Sequence, residues 1–158
     1  MNLSKNLAIT VALSTVNAHP QSYDTHDNCN NEFFKSILPS IASILGTYHV
    51  PANGSFGQAA DIAYPINATN LPALCAAIVN VTSSATSSFA FGIFLPDSWN
   101  QRFIAVGNGG FSGGINWLSM GSVVLYGVAT VSTSTGHNST GQDMTWALNN
   151  PEAKGDWG

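Results

Sequence analysis

The chain has 158 residues, a net charge of −4, and 8% charged against 44% hydrophobic residues. Four Lys and Arg against eight Asp and Glu leave nothing to neutralise a phosphate backbone, which argues against nucleic-acid binding. Beyond the first residues no second long apolar segment occurs, so no membrane association is expected.

Residues 1–6 carry one positive charge, Lys5, and residues 7–16 are an apolar run too short to cross a bilayer. Val16-Asn17-Ala18 then has the small-residue spacing of a signal-peptidase site. Residues 1–18 are therefore expected to be a signal peptide and 19–158 the mature, extracellular domain; a buried N-terminal helix is the alternative. Four N-x-[ST] sequons, at Asn53, Asn67, Asn80 and Asn138, suit a glycosylated surface. An oxidising compartment favours a disulfide between Cys29 and Cys75 over two isolated buried thiols. A zinc site is not expected, because the two sulfurs lack nearby His or Cys partners at ligand spacing.

Phe33, Phe34, Ile37, Leu38, Ile41, Ile44 and Leu45 recur at helical spacing up to a stop at Gly46. Pro39 predicts two short helical pieces or a kink within residues 28–45. Residues 47–70, punctuated by Gly, Asn and Pro, read as irregular connection or short edge strands. Residues 75–81 and 89–95 read as strands, and 102–106 as a short strand running into a glycine-rich stretch. Residues 115–120 suit a short helix. Residues 122–131, β-branched and nearly continuously apolar, read as a strand buried on both faces. This order predicts an α/β fold with a mostly parallel sheet, incomplete because two or three strands leave edges and faces uncovered.

Gly107-Asn108-Gly109-Gly110-Phe111-Ser112-Gly113-Gly114 puts five glycines in eight positions. Glycine lets the backbone turn its N–H groups outward and approach a ligand closely, which suits a developing oxyanion as well as a plain structural turn. A dinucleotide fingerprint would need glycine where Ser112 sits. Gly110-Phe111-Ser112-Gly113-Gly114 does satisfy the G-x-S-x-G pattern of a nucleophile elbow. However, Asp143 and Asp156 follow His137, the reverse of the acid-then-histidine order, so Ser112 is not expected to be a nucleophile.

Phe94-Leu95-Pro96, Trp99-Asn100 and Arg102-Phe103 precede this stretch, and Ser132-Thr133, Thr135-Gly136-His137 and Trp146 follow it. With Asn150-Pro151-Glu152 and Asp156-Trp157-Gly158 they resemble the tannase and feruloyl esterase family, roughly from Cys75 onward. The resemblance implies the N-terminal part of an α/β-hydrolase that cleaves small phenolic esters, feruloyl or galloyl, with a Ser-His-Asp triad. It places the nucleophile in a Gly-Cys-Ser-x-Gly-Gly motif absent here, so no triad residue is present and the fragment alone is expected to be inactive. It also implies calcium in an inserted lid, with no cofactor in this chain, and leaves oligomeric state open. Gly109 and Gly110 become candidate oxyanion-side donors and Phe111 the pocket edge, while His137 is expected to be a structural loop histidine. Trp99 and Trp117 are expected to pack, and Ser134 stands where relatives usually carry aspartate. The alternative function is a non-catalytic secreted binding module or a degenerate esterase relative.

Overall fold

The computed structural model describes residues 27–148 and 150–157; the expected signal peptide and its cleavage site lie outside them. The first element is α1 (Asn31–Ile37), started by Asn30, whose side chain accepts the Phe33 N–H at 2.8 Å. It stops at Leu38, which is extended (ψ 144°) as the residue before a proline is pushed to be. The apolar residues beyond Pro39 do not resume a helix. They enter β1 (Ala42–Val50), a nine-residue strand with a register shift between Ile44 and Gly46. The helical spacing over 33–45 thus joins two elements: Phe34 packs from α1 and Ile44 from β1, both into the same apolar cluster.

Residues 51–71 hold β2 (Gly54–Phe56) and β3 (Ala68–Leu71), which pair into a small antiparallel sheet. The hairpin β4 (Leu74–Thr82) and β5 (Ser88–Pro96) follows, then β6 (Phe103–Ala105), α2 (Trp117–Val124) and β7 (Ala129–Thr133). Short helices α3 (Thr145–Leu148) and α4 (Pro151–Trp157) complete the described chain.

The main sheet has the order β1-β4-β5-β7-β6. It is mixed rather than mostly parallel: β1/β4, β4/β5 and β5/β7 are antiparallel, and only β6/β7 is parallel. The reason is connection length. The short turn between β4 and β5 permits only an antiparallel pair, whereas the passage from β6 to β7 is long enough for a helix and a parallel return. The apolar run 122–131 is also divided. Its first residues finish α2, Gly127 takes a left-handed turn (φ +72°), and the rest begins β7. An unbroken apolar run has no period, so it does not distinguish a buried helix end from a strand.

The sheet is covered on both faces. Leu74, Ala76 and Ile78 of β4 and Phe94 of β5 pack under Trp117, Met120 and Val124 of α2. Cys75 and Ala77, on the opposite face, pack with Cys29 and Phe34. Gly92 makes room for the first contact, because a Cβ there would run into the Trp117 ring. Burying a side chain such as Met120 or Phe94 contributes about 1.5–3 kcal/mol, and α2 is thereby fixed directly behind the glycine loop.

Candidate active site

Residues 107–114 leave the C-terminal end of β6 and return to α2, whose N-cap Asn116 accepts the Ser119 N–H. The loop is tied down at most of its polar atoms. Asn108 Nδ2 lies 3.0 Å from both the Gly114 and Thr133 carbonyls and 3.3 Å from that of Ser112, joining the loop's two ends to the tip of β7. Segment 134–141 closes one side. The Phe111 N–H donates to Gly141 O, Gly113 N–H to Ser139 O, and Gly114 N–H to Ser134 O.

Asp61 holds the exit of the loop. Its carboxylate, 7% exposed, accepts the Ile115 N–H at 2.8 Å on one oxygen and those of Ala63 and Tyr64 at 3.1 and 3.0 Å on the other. Three N–H donors satisfy a buried carboxylate without a cation. Gly114 (φ +108°) is required here, since a Cβ would strike that carboxylate. At the loop's entrance the Gly109 N–H donates to Tyr64 Oη at 3.1 Å.

The three candidate positions therefore differ. Gly109 is already hydrogen-bonded to Tyr64, and Phe111 to Gly141. Gly110 is exposed and left-handed (φ +58°), and its N–H has no acceptor among the described residues. It is the one of the three whose N–H is not already hydrogen-bonded within the described residues. Phe111 is half-buried, with its ring 5.3 Å from that of Trp157.

His137 is pinned between carbonyls. Its Nδ1 lies 2.9 Å from Thr135 O and its Nε2 3.0 Å from Phe111 O, and the ring stacks on Trp146 at 3.8 Å. The Nε2 contact spans from segment 134–141 to the glycine loop while Nδ1 stays within its own turn, and neither bonds Ser112, which is buried in the loop. Ser134 Oγ accepts the Ala90 N–H at 2.9 Å, securing β5. Trp117 is fully buried against Phe56 and Phe94, and Trp99 Nε1 donates to Arg102 O.

A cavity of ≈ 170 Å³ beside the loop's exit is lined by Asp61, Gly114, Ser134, His137 and Asn138 among others. Ligand pockets typically run to roughly 300–1,000 Å³, and this cavity lies below that range. Among the described residues no group of three or more His, Cys, Asp or Glu is placed to hold a metal ion. No helix of the described residues is long and apolar enough to cross a membrane.

Cys29 and Cys75 form a disulfide that ties the start of α1 to β4. The sequons differ in exposure. Asn53 and Asn67 are exposed, and Asn80 is half-buried within β4. Asn138 is exposed, but its side chain accepts the Ile62 N–H and donates to Ala60 O. Sequence reasoning missed Asp61, Tyr64 and the bridging role of Asn108. The one available signal was local: an aspartate followed by residues whose N–H groups it can accept is turn chemistry.

The glycine loop and its flanking strands fall within a segment that is similar to known proteins. Residues 73–158 match the family model described as tannase and feruloyl esterase. The chain belongs to the tannase and feruloyl esterase family. A probable feruloyl esterase B-1 from Neosartorya fischeri is 30% identical over 149 residues, covering 91% of this chain and 28% of that protein. The crystal structure of feruloyl esterase B from Aspergillus oryzae aligns with a TM-score of 0.70 and 30% identity, over 83% of this chain and 25% of that one. An esterase from Aspergillus oryzae shares the fold with a TM-score of 0.73 at 23% identity. The chain thus spans between a quarter and a third of the length of these family members.

Proposed function

We propose that these residues form the N-terminal part of a secreted carboxylic ester hydrolase acting on aryl esters, feruloyl or galloyl. Its serine, acid and histidine lie outside the 158 residues. In this reading the serine hydroxyl, deprotonated by the histidine, attacks the acyl carbon, and the carbonyl oxygen becomes an oxyanion. The alcohol leaves with the histidine's proton, and water then releases the acid from the acyl-enzyme.

The observation that carries the reading is the N–H of Gly110, an exposed residue, without an acceptor among the described residues and set in a loop braced by Asn108, Asp61 and His137. A donor aimed in advance at the developing charge needs no reorganisation during reaction, and losing one such donor typically costs a factor of about 10²–10³ in rate. Two further features support the extracellular part of the reading: the disulfide, and the exposed sequons at Asn53 and Asn67, which are the better placed glycan acceptors.

The test is an assay on methyl ferulate and p-nitrophenyl acetate, using the chain as its gene encodes it and residues 19–158 alone. Activity is expected in the first only where a serine elbow follows these residues, and is expected to survive Ser112→Ala. Activity in 19–158 that Ser112→Ala abolishes would overturn the assignment in favour of Ser112. Binding of phenolics without hydrolysis by the encoded protein would favour the non-catalytic module.

A further inference from the structure

We infer that Tyr64 is a substrate-facing hydrogen-bond donor beside Gly110, set in place by Asp61; this rests on reading the glycine loop as the oxyanion side of an ester-hydrolase site. In sequence Tyr64 sits in an unpatterned stretch, and it precedes residues 73–158, where the family model matches. Its importance comes from what the fold brings to it.

The Asp61 carboxylate accepts the N–H groups of Ala63 and Tyr64 and, across the fold, that of Ile115. One buried carboxylate therefore fixes the 61–64 turn to the exit of the glycine loop. From that turn the Tyr64 side chain reaches the loop's entrance, where its hydroxyl oxygen accepts the Gly109 N–H at 3.1 Å.

A phenol has one proton and can also accept. With a lone pair occupied by Gly109, the proton is directed elsewhere, and no acceptor for it lies among the described residues. The next N–H along the loop, that of Gly110, is open as well. The phenolic O–H that Tyr64 brings to Gly109 and the peptide N–H of Gly110 thus belong to neighbouring positions of the glycine loop, both without an acceptor among the described residues. That pairing suits a single oxygen that gains negative charge, the carbonyl oxygen of an ester becoming an oxyanion. It also explains why Gly109 contributes no donor of its own: its N–H orients the hydroxyl that does.

A hydroxyl that serves only as an anchor for Gly109 predicts different kinetics, because an anchor needs the lone pair and not the proton. The experiment uses the protein as encoded, with Tyr64→Phe and with 3-fluorotyrosine at position 64, assayed on methyl ferulate at mildly acidic pH. Tyr64→Phe is expected to lower kcat at least about tenfold with little change in KM. The fluorinated phenol, a better donor and a poorer acceptor of nearly the same shape, is expected to turn over faster than wild type. A Tyr64→Phe variant within twofold of wild type, or a fluorotyrosine variant no faster than wild type, overturns the inference and leaves the esterase reading standing. An encoded protein with no esterase activity at all overturns both.

Discussion

Asn108 shows how much one amide can organise. From the start of the glycine loop its Nδ2 lies within hydrogen-bonding distance of three carbonyls, two at the loop's far end and one at the tip of β7. Asn108→Ala is expected to destabilise by about 2–3 kcal/mol, because partly buried carbonyls lose their donor. Asn108→Asp is expected to be worse than alanine, since a carboxylate cannot donate and would face the same oxygens. Chemical denaturation of the three proteins orders them. At Gly114 an alanine would meet both a left-handed backbone and the Asp61 carboxylate, so Gly114→Ala is expected to cost more than about 2 kcal/mol, read as a fall in Tm. The exposed end of the fold carries a pH-sensitive contact of a milder kind. The Thr145 hydroxyl and then its N–H donate to Asp143, at 2.6 and 2.9 Å, and hold that carboxyl below the ordinary carboxylate range. A lowered carboxylate supports the fold above its unfolded pKa, and that support is lost as pH falls through the folded value. Thr145→Val should therefore raise the Asp143 titration midpoint toward that of a free carboxylate, which side-chain NMR would detect.

Among the elements, α1 is the one that depends most on a covalent tie. It has seven residues, too few to persist alone, and it is anchored by Phe34 and by the disulfide from Cys29 to β4. The bond closes a separation of 46 residues, a loop for which the chain-entropy model gives about 4 kcal/mol. Replacing both cysteines by serine is expected to lower stability by about that amount, in thermal unfolding followed by circular dichroism. The Glu32–Lys35 ion pair on the same helix is exposed and adds little. Element boundaries were legible where the residues carried their own punctuation. Pro39 breaks the helical spacing after α1, and the polar turn between β4 and β5 separates two apolar runs. Where punctuation was a single glycine inside an apolar run, as at Gly127, one strand was expected and a helix end plus a strand is found.

At the scale of the molecule the two edges of the main sheet differ. β1 is covered in part by α1, whereas β6 pairs with β7 on one side only and leaves Phe103 62% and Ile104 41% exposed. An apolar strand edge of this kind templates association. Residues 27–158 expressed alone are therefore expected to self-associate, and Phe103→Lys is expected to reduce the sedimenting mass.

The amino-acid sequence by itself determined the chemistry available: a sparse charge that disfavours polyanion partners, two cysteines to pair, and a glycine loop with Ser112 wrongly ordered for a triad. Those are properties of composition and of neighbours along the chain. Tertiary structure alone decided which of the three candidate N–H groups is open, because that depends on acceptors far away along the chain, such as Tyr64 for Gly109 (|i−j| 45) and Asp61 for Ile115 (|i−j| 54). A hydrogen bond between distant segments leaves no periodicity in either, so Gly109 and Gly110 look alike in sequence and differ only once the chain has folded.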